Sequence, residues 1–338
     1  SGAGTLRQAI LDANASAGPD TIAFDILACM GVCVIQPLSA LPSLTGGEIT
    51  IDGYSQPGAA EATATTSATI KIEIDGTNAG YAHSLTIVSA GNVVRGLAII
   101  NFERSGVLLS GTPAAGNVVS GNHIGTGADG TSDGGNGWIG VALSSFAQHN
   151  TIGGDEPGER NVISGNEGEG VQLAGRYNTV SGNYVGTDAN GTSSLPNFHG
   201  IILTSDAENN TIGGDAPGER NVVSGNTGRG IHISTTGTMS NTVSGNFIGI
   251  DASGAYTLPN TYIGVSISGG ATHNTIGGDA SGERNVISGN GVWGVAIQGT
   301  GTMSNTVAGN YIGTDASGVL DAGNTEAGVN VSLGAQYN

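Results

Sequence analysis

Eight times between residues 106 and 331 the chain returns to one short pattern, a glycine followed by an apolar residue, a variable one and a second apolar one, starting at Gly106, Gly140, Gly170, Gly200, Gly230, Gly264, Gly294 and Gly328. The starts lie 34, 30, 30, 30, 34, 30 and 34 residues apart. Alternation with period two marks a strand, and a period of this length suits one circuit of a stacked solenoid rather than a helical hairpin. Strands this short cannot stand as isolated hairpins, but each can pair with the circuit above and the circuit below. All circuits wind the same way, so the pairing is parallel, and crossovers to a parallel neighbour take the right hand. The expected fold is all-β, a right-handed parallel β-helix, with Val107, Leu109, Val171 and Leu173 pointing inward and Leu108, Gln172 and His232 outward.

Two columns of asparagine keep fixed offsets from this pattern. One runs through Asn117, Asn150, Asn178, Asn210, Asn241, Asn274 and Asn305, with Asn338 in register; the other through Asn122, Asn161, Asn183, Asn221, Asn246, Asn285 and Asn310. Asn tolerates left-handed backbone and bonds its own turn, so each column marks a stacked corner, and stacked amides can bond along it. Two coil types alternate. One carries a long loop such as Asp188-Ala189-Asn190-Gly191, the other a bulky turn such as Pro157-Gly158-Glu159-Arg160, giving a true period of 60 or 64 residues. The chain lacks the leucine spacing of a leucine-rich repeat, and propeller blades need more aromatic residues.

Residues 1–20 read as an amino-terminal cap: Thr5 can cap a helix whose Leu6, Ala9, Ile10 and Ala13 share a face, and Gly18-Pro19 ends it. Residues 21–100 read as irregular first coils with an excursion loop from Gly58 to Ala68, and 101–338 as the regular β-helix. The chain stops at Asn338, where another circuit would begin, so the polypeptide is expected to continue into further domains.

Sixty-one glycines among 338 residues do not fall every third position, which excludes collagen. Nine basic against 27 acidic residues give a net charge of −18, a surface that repels phosphate backbones and argues against nucleic acid as a partner. There is no apolar run of transmembrane length, so no membrane insertion is expected from this segment. Cys29 and Cys33 are too few for a zinc site; they either clamp a turn as a disulfide or lie buried as free thiols.

The opening Gly4-Thr5-Leu6-Arg7-Gln8-Ala9-Ile10-Leu11-Asp12-Ala13-Asn14, the Asn-Thr-Ile-Gly-Gly segments at 150–154, 210–214 and 274–278, and Asn-Val-Ile-Ser-Gly-Asn at 161–166 and 285–290 resemble secreted bacterial β-helix repeat proteins of the pectate-lyase-like superfamily. The resemblance covers nearly the whole chain. It implies a secreted or cell-surface location and a β-helix with a capping helix; for activity it leaves open polysaccharide lyases, hydrolases, epimerases and adhesins.

Candidate chemistry is sparse. Glycoside hydrolysis needs two carboxylates flanking the scissile bond; Glu167 and Glu169 form one local cluster, with Asp206 and Glu208 one coil later. Lyases of this shape use a basic residue, for which Lys71, Arg176, Arg229 and the repeated Arg160, Arg220 and Arg284 are available. The threefold Gly-Glu-Arg reads as scaffold. Asp188, Asp251 and Asp315 offer oxygens to calcium, the one ion suggested, although an Asx turn explains each and no cofactor is required. Two aromatic series are candidate sugar platforms: Tyr184, Phe247 and Tyr311, and Trp138, Phe198, Tyr262 and Trp293. The six histidines are scattered and form no triad.

Repetition favours an extracellular structural, adhesion or display module that is not an enzyme and binds extracellular polysaccharide or cell-surface components weakly along its side. The alternative is a polysaccharide-degrading lyase or hydrolase with a lateral groove.

Overall fold

A computed structural model describes every residue except 1, 28, 30 and 145. The chain is a right-handed parallel β-helix: three parallel sheets of ten, ten and nine strands run its length, here called A, B and C. A circuit visits A, turns into B, turns into C and climbs to the next A. Sheet A begins with residues Asp20–Ala23, sheet B with Cys33–Ile35 and sheet C with Leu85–Ile87. The register is residue for residue; in sheet C, Val171, Gln172 and Leu173 stand between Val141, Ala142 and Leu143 on one side and Ile201, Ile202 and Leu203 on the other.

The glycine before each sheet C strand has a packing cause. A methyl on Gly170 would lie 2.6 Å from Val185 Cγ1 and 2.8 Å from the Gly200 carbonyl oxygen, so nothing larger fits where the chain bends into the strand. Inside the coils, stacked Val, Ile and Leu from all three sheets form one continuous core. At the first coil that core is closed by a helix, α1 (Leu6–Ala15), whose N-cap Thr5 accepts from Gln8 N–H and which buries Leu6, Ile10 and Ala13. Cys29 and Cys33 are joined by a disulfide with a Cα separation of 5.6 Å.

Asparagine builds all three corners, one more than the two columns read from sequence. The third ladder runs through Asn136, Asn166, Asn197, Asn226, Asn260, Asn290 and Asn324, between sheets B and C. The rungs share one form: an Asn Oδ1 accepts from the Nδ2 and, in all but the Asn260–Asn290 rung, the backbone N–H of its counterpart one coil earlier, as Asn150 does from Asn117 at 2.9 and 3.0 Å. The left-handed position is not the Asn itself. In the C-to-A corner it is the residue before it, His149, Tyr177, Asn209, Ser240, His273, Ser304 and Tyr337, all with φ between 54° and 58°; the preceding residue takes the strain so that the amide can point inward to its ladder.

The alternating loops have distinct uses. Hairpin excursions at 126–133, 187–194, 250–257 and 314–321 stack on one another through Ala189 N–H to Gly130 O, Ala252 to Gly191 and Ala316 to Gly254, each 2.9 Å. They cover the outer face of sheet B and form a second small core with Val222, Phe247, Ile250 and Val286. Beneath these hairpins sheet B is thus largely buried on both faces, whereas its first strand leaves Val34 exposed. Sheets A and C keep outer faces open to solvent.

Candidate functional site

Several candidates of the sequence are spent on scaffold. Tyr184, Phe247 and Tyr311 are not open sugar platforms: the guanidinium groups of Arg160, Arg220 and Arg284 lie 4.4, 4.2 and 4.2 Å from their ring centres, and hairpin glycines Gly191, Gly254 and Gly318 press on the rings. The Gly-Glu-Arg repeat thereby fixes the bulky turn, Glu219 Oε2 accepting Asp215 and Ala216 N–H while Arg220 Nε donates to Gly245 O. Asp188, Asp251 and Asp315 point into their own hairpins; Asp251 Oδ1 accepts from Ala255 and Tyr256 N–H and from Ser253 Oγ. Among the described residues no three His, Cys, Asp or Glu side chains group to hold a metal ion.

Glu167, Glu169, Asp206 and Glu208 do not converge. The first two precede the sheet C strand Val171–Leu173 and the last two follow the strand Ile201–Leu203, so the pairs occupy opposite rims of one face. Glu208 is paired with Arg176, Nε to Oε2 3.3 Å, on the far rim.

Two open faces carry concavities. On sheet A, the excursion loop and the turn at 156–159 wall a cleft of about 910 Å³ over Thr50, Val93 and Val118. Its polar groups are largely committed to each other: Arg95 bonds Asp52 at 2.8 Å and Glu61 at 3.0 Å, Tyr54 donates to Gly121 O at 2.7 Å, and Glu159 caps its own turn.

Sheet C is different. Its outward column reads Thr86, Leu108, Ala142, Gln172, Ile202, His232, Ser266, Ala296 and Asn330. Along the entry rim, each entry glycine donates its N–H to a carbonyl of the next coil, so Ile139, Glu169, His199, Arg229, Ile263 and Trp293 form one vertical column. One position earlier stand Trp138, Gly168, Phe198, Gly228 and Tyr262, bonded in turn. The three rings of this outer column are about half exposed, separated by glycines, and therefore recur every second coil, roughly 9.6 Å apart. Of the aromatic candidates, Trp138, Phe198 and Tyr262 stand open on the rim, with Trp293 partly covered beside them.

At the middle of this face His199, Arg229 and His232 meet. The rings of His199 and His232 lie edge to face with centres 5.8 Å apart. His199 Nδ1 accepts the backbone N–H of Arg229 at 3.0 Å, so in the neutral ring the proton sits on Nε2. The ring rests on Gly228, where a Cβ would collide with it. His232 Nε2 is 3.1 Å from Ser268 Oγ, while its Nδ1 and the Nε of Arg229 are buried without a protein partner. Unpaired buried polar atoms cost about 1–3 kcal/mol each; Arg95, Arg104 and Arg160 share the unpaired Nε, so it is the meeting with two imidazoles that sets Arg229 apart. Burial, then the Arg229 charge, pushes His199 down to about 4; burial, Arg229 and His199 push His232 down to about 3. Both imidazoles are therefore unprotonated at neutral pH. Burial lowers Arg229 as well, partly offset by Tyr262.

This site missed recognition in the sequence because the histidines were judged one by one. The signal was register: Glu169, His199 and Arg229 each immediately precede an entry glycine in successive coils, and His232 is two residues past Gly230.

The depressed histidines make acid destabilising. Between pH 6.5, the ordinary value, and about 4 the unfolded chain binds the proton that folded His199 refuses, so this stabilisation is complete above pH 6.5 and is lost as pH falls through 4. With partial solvent screening the loss is on the order of 2 kcal/mol for His199. Urea midpoints across this range should fall with acid in the wild type and fall less in His199→Gln; equal slopes would contradict the shift.

No protein-family model and no curated protein sequence matches the chain. Among solved structures it is similar to the Dettilon tailspike protein, with 17% identity, a TM-score of 0.52 and coverage of 98% of this chain but 55% of the tailspike, so it spans about half of that protein's length. It also overlays the A-module of an Azotobacter vinelandii mannuronan C-5 epimerase (12% identity, 98% and 94% of the two chains, TM-score 0.48) and a periplasmic alginate epimerase (14%, 80% and 55%, 0.43). The tailspike likeness shows the fold alone. The expectation that a coil stack this regular is not an enzyme is corrected: six of the solved structures it overlays are named as epimerases, a glucanase or a pectate lyase. Proteins of this architecture include both a tailspike and carbohydrate-active enzymes.

Proposed function

We propose that the chain is a polysaccharide-acting enzyme of the lyase type, taking a uronate polymer along the outer face of sheet C and reacting it at His199, Arg229 and His232. The carrying observation is the meeting of two unprotonated imidazoles with an arginine whose buried Nε has no protein acceptor, on an open face lined by spaced aromatic rings. Arg229 pairs with the sugar carboxylate, which makes the neighbouring C5 proton more acidic. His232 removes that proton; the electron pair forms the C4–C5 double bond as the C4–oxygen bond breaks. His199, with its proton on Nε2, donates a hydrogen bond to the departing oxygen, which takes its proton from solvent as the imidazolium of His232 returns its own to solvent. An imidazole held near 3 or 4 is a weak base, but the arriving carboxylate raises it toward the working range.

Hydrolysis fits less well. Glu169 is the one carboxylate in the His199 column, and the acids across the face sit on the far rim, Glu208 already paired. Phe198 and Tyr262 offer apolar faces to pyranose rings, consistent with the expected sugar contacts of the rim. The same groove would hold an extracellular or cell-surface polysaccharide, in keeping with an exported protein.

The experiment is a panel of polymannuronate, polyguluronate, polygalacturonate and neutral glucans, followed for unsaturated and for new reducing ends. Unsaturated ends on a uronate polymer are the expected result. Reducing ends without unsaturation on a neutral glucan would replace the lyase with a hydrolase.

A further inference from the structure

A related pairing of histidine and arginine stands elsewhere on the same face. His83 Nδ1 accepts the backbone N–H of Ser105 at 3.2 Å, beside Arg104 of the next coil, as His199 Nδ1 accepts that of Arg229. His83 is pushed down to about 4 by burial and then by Arg104, as His199 is by burial and Arg229. Arg104 Nε, like Arg229 Nε, is buried without a protein partner. Arg104 also lies between two exposed rings, its guanidinium 5.1 Å from the centre of Tyr81 and 5.5 Å from that of Trp138. By register Arg104 stands one position before the place of Arg229, which Ser105 fills, but in coil order it lies between Tyr81 and Trp138 as Arg229 lies between Phe198 and Tyr262. His83, Arg104 and Trp138 line a hollow of about 320 Å³ with Leu108, Ala142, Ser144 and Gln172.

One residue differs in kind. The outward residue of the Arg104 coil is Leu108, where the Arg229 coil has His232. This second pairing has the anion-pairing arginine, the imidazole donor and the aromatic walls, but an alkyl group in place of the base.

We infer that Arg104, His83, Tyr81 and Trp138 form a binding subsite that recognises a second carboxylated sugar of the same polymer without reacting it. This rests on the proposed lyase reading for the polymer and its direction along the face. Sheet C strands pair in the order that places Arg104 four coils before Arg229, a separation of roughly 19 Å at about 4.8 Å per coil. One pyranose of an extended chain advances about as far as one coil. The two arginines therefore read carboxylates about four residues apart, and the protein selects long, uniformly charged uronate runs over short or interrupted ones.

Trimeric and octameric uronates test this, since a trimer cannot span the two arginines and an octamer can. In the wild type, kcat/KM for the octamer should exceed that for the trimer by 10-fold or more, the yield of one charge-assisted pair. Arg104→Gln should remove this length dependence, and Arg104→Lys should restore part of it. Thermal melting of each variant identifies a folding loss, and in that case Trp138→Ala should show the same selective loss on the octamer. Equal length dependence in wild type and Arg104→Gln would overturn the subsite. If no uronate is turned over, the lyase reading fails separately. Octamer binding by calorimetry then decides: a 10-fold weaker Kd in Arg104→Gln sustains the subsite, and equal or absent binding overturns it.

Discussion

Replacing Asn183 with leucine should lower the unfolding free energy by about 3–5 kcal/mol, the largest stability effect expected from any single side chain in the stack. The size follows from bond counting. Asn183 Nδ2 donates to Ile152 O, Ser181 O and Asn221 Oδ1 at 2.8, 2.8 and 3.0 Å, and its Oδ1 accepts Asn161 Nδ2 at 2.8 Å and Asn161 N–H at 3.4 Å. The side chain is fully buried. Leucine has the same branching and number of heavy atoms, so the cost comes from orphaned groups on three successive coils rather than from a cavity. Asn183→Asp should cost at least as much, because a carboxylate supplies no donor to the two carbonyls and adds a buried charge. Denaturant melts check this, together with hydrogen exchange at the amides of Asn161 and Asn183. A loss under 1 kcal/mol would mean that the ladders are not what holds the corners.

The largest functional effect should come from His232→Ala. Removing a positioned base typically costs 10²- to 10⁴-fold, and here kcat should fall by that factor with KM nearly unchanged, since the neighbouring Arg229 still holds the carboxylate. Arg229→Gln should lower kcat/KM by a comparable factor but with a marked rise in KM, because the same pair acts in binding and in acidifying the proton. Glu167→Gln, on an exposed turn, should change neither by more than about 2-fold. Steady-state kinetics on the responsive polymer of the panel separates the three. A His232→Ala enzyme with unchanged kcat would remove the imidazole from the reaction.

Much of the fold was legible because its causes repeat. The entry glycines recur since every coil bends into sheet C against the next carbonyl, and the Val171/Leu173 type of pair recurs since every coil fills the same interior. The third Asn ladder was equally present: an Asn stands four residues before the entry glycine at 136, 166, 226, 260, 290 and 324, and three before it at 197. It was passed over because the residues between, such as Gly-Trp-Ile after Asn136 and Glu-Gly-Glu after Asn166, share no pattern. Tyr184, Phe247 and Tyr311 misled for another reason. Alternation correctly set them outside the coil, but each ring is covered by the hairpin that follows its own strand and by an arginine of the preceding coil, and strand periodicity carries no information about such a second layer. His199, Arg229 and His232 were hidden by a habit suited to repeats, that of giving weight to what recurs, whereas a reacting centre is where the recurrence breaks.

The central claim, proton removal from a bound uronate at His232, is tested most directly by incubating the responsive polymer in deuterium oxide. The polymer's C5 positions and the unsaturated ends are then followed by NMR, with wild type beside His232→Ala. The account predicts unsaturated ends, with any C5 exchange confined to the wild type. Cleavage without unsaturation, or turnover that survives intact in His232→Ala, would contradict it.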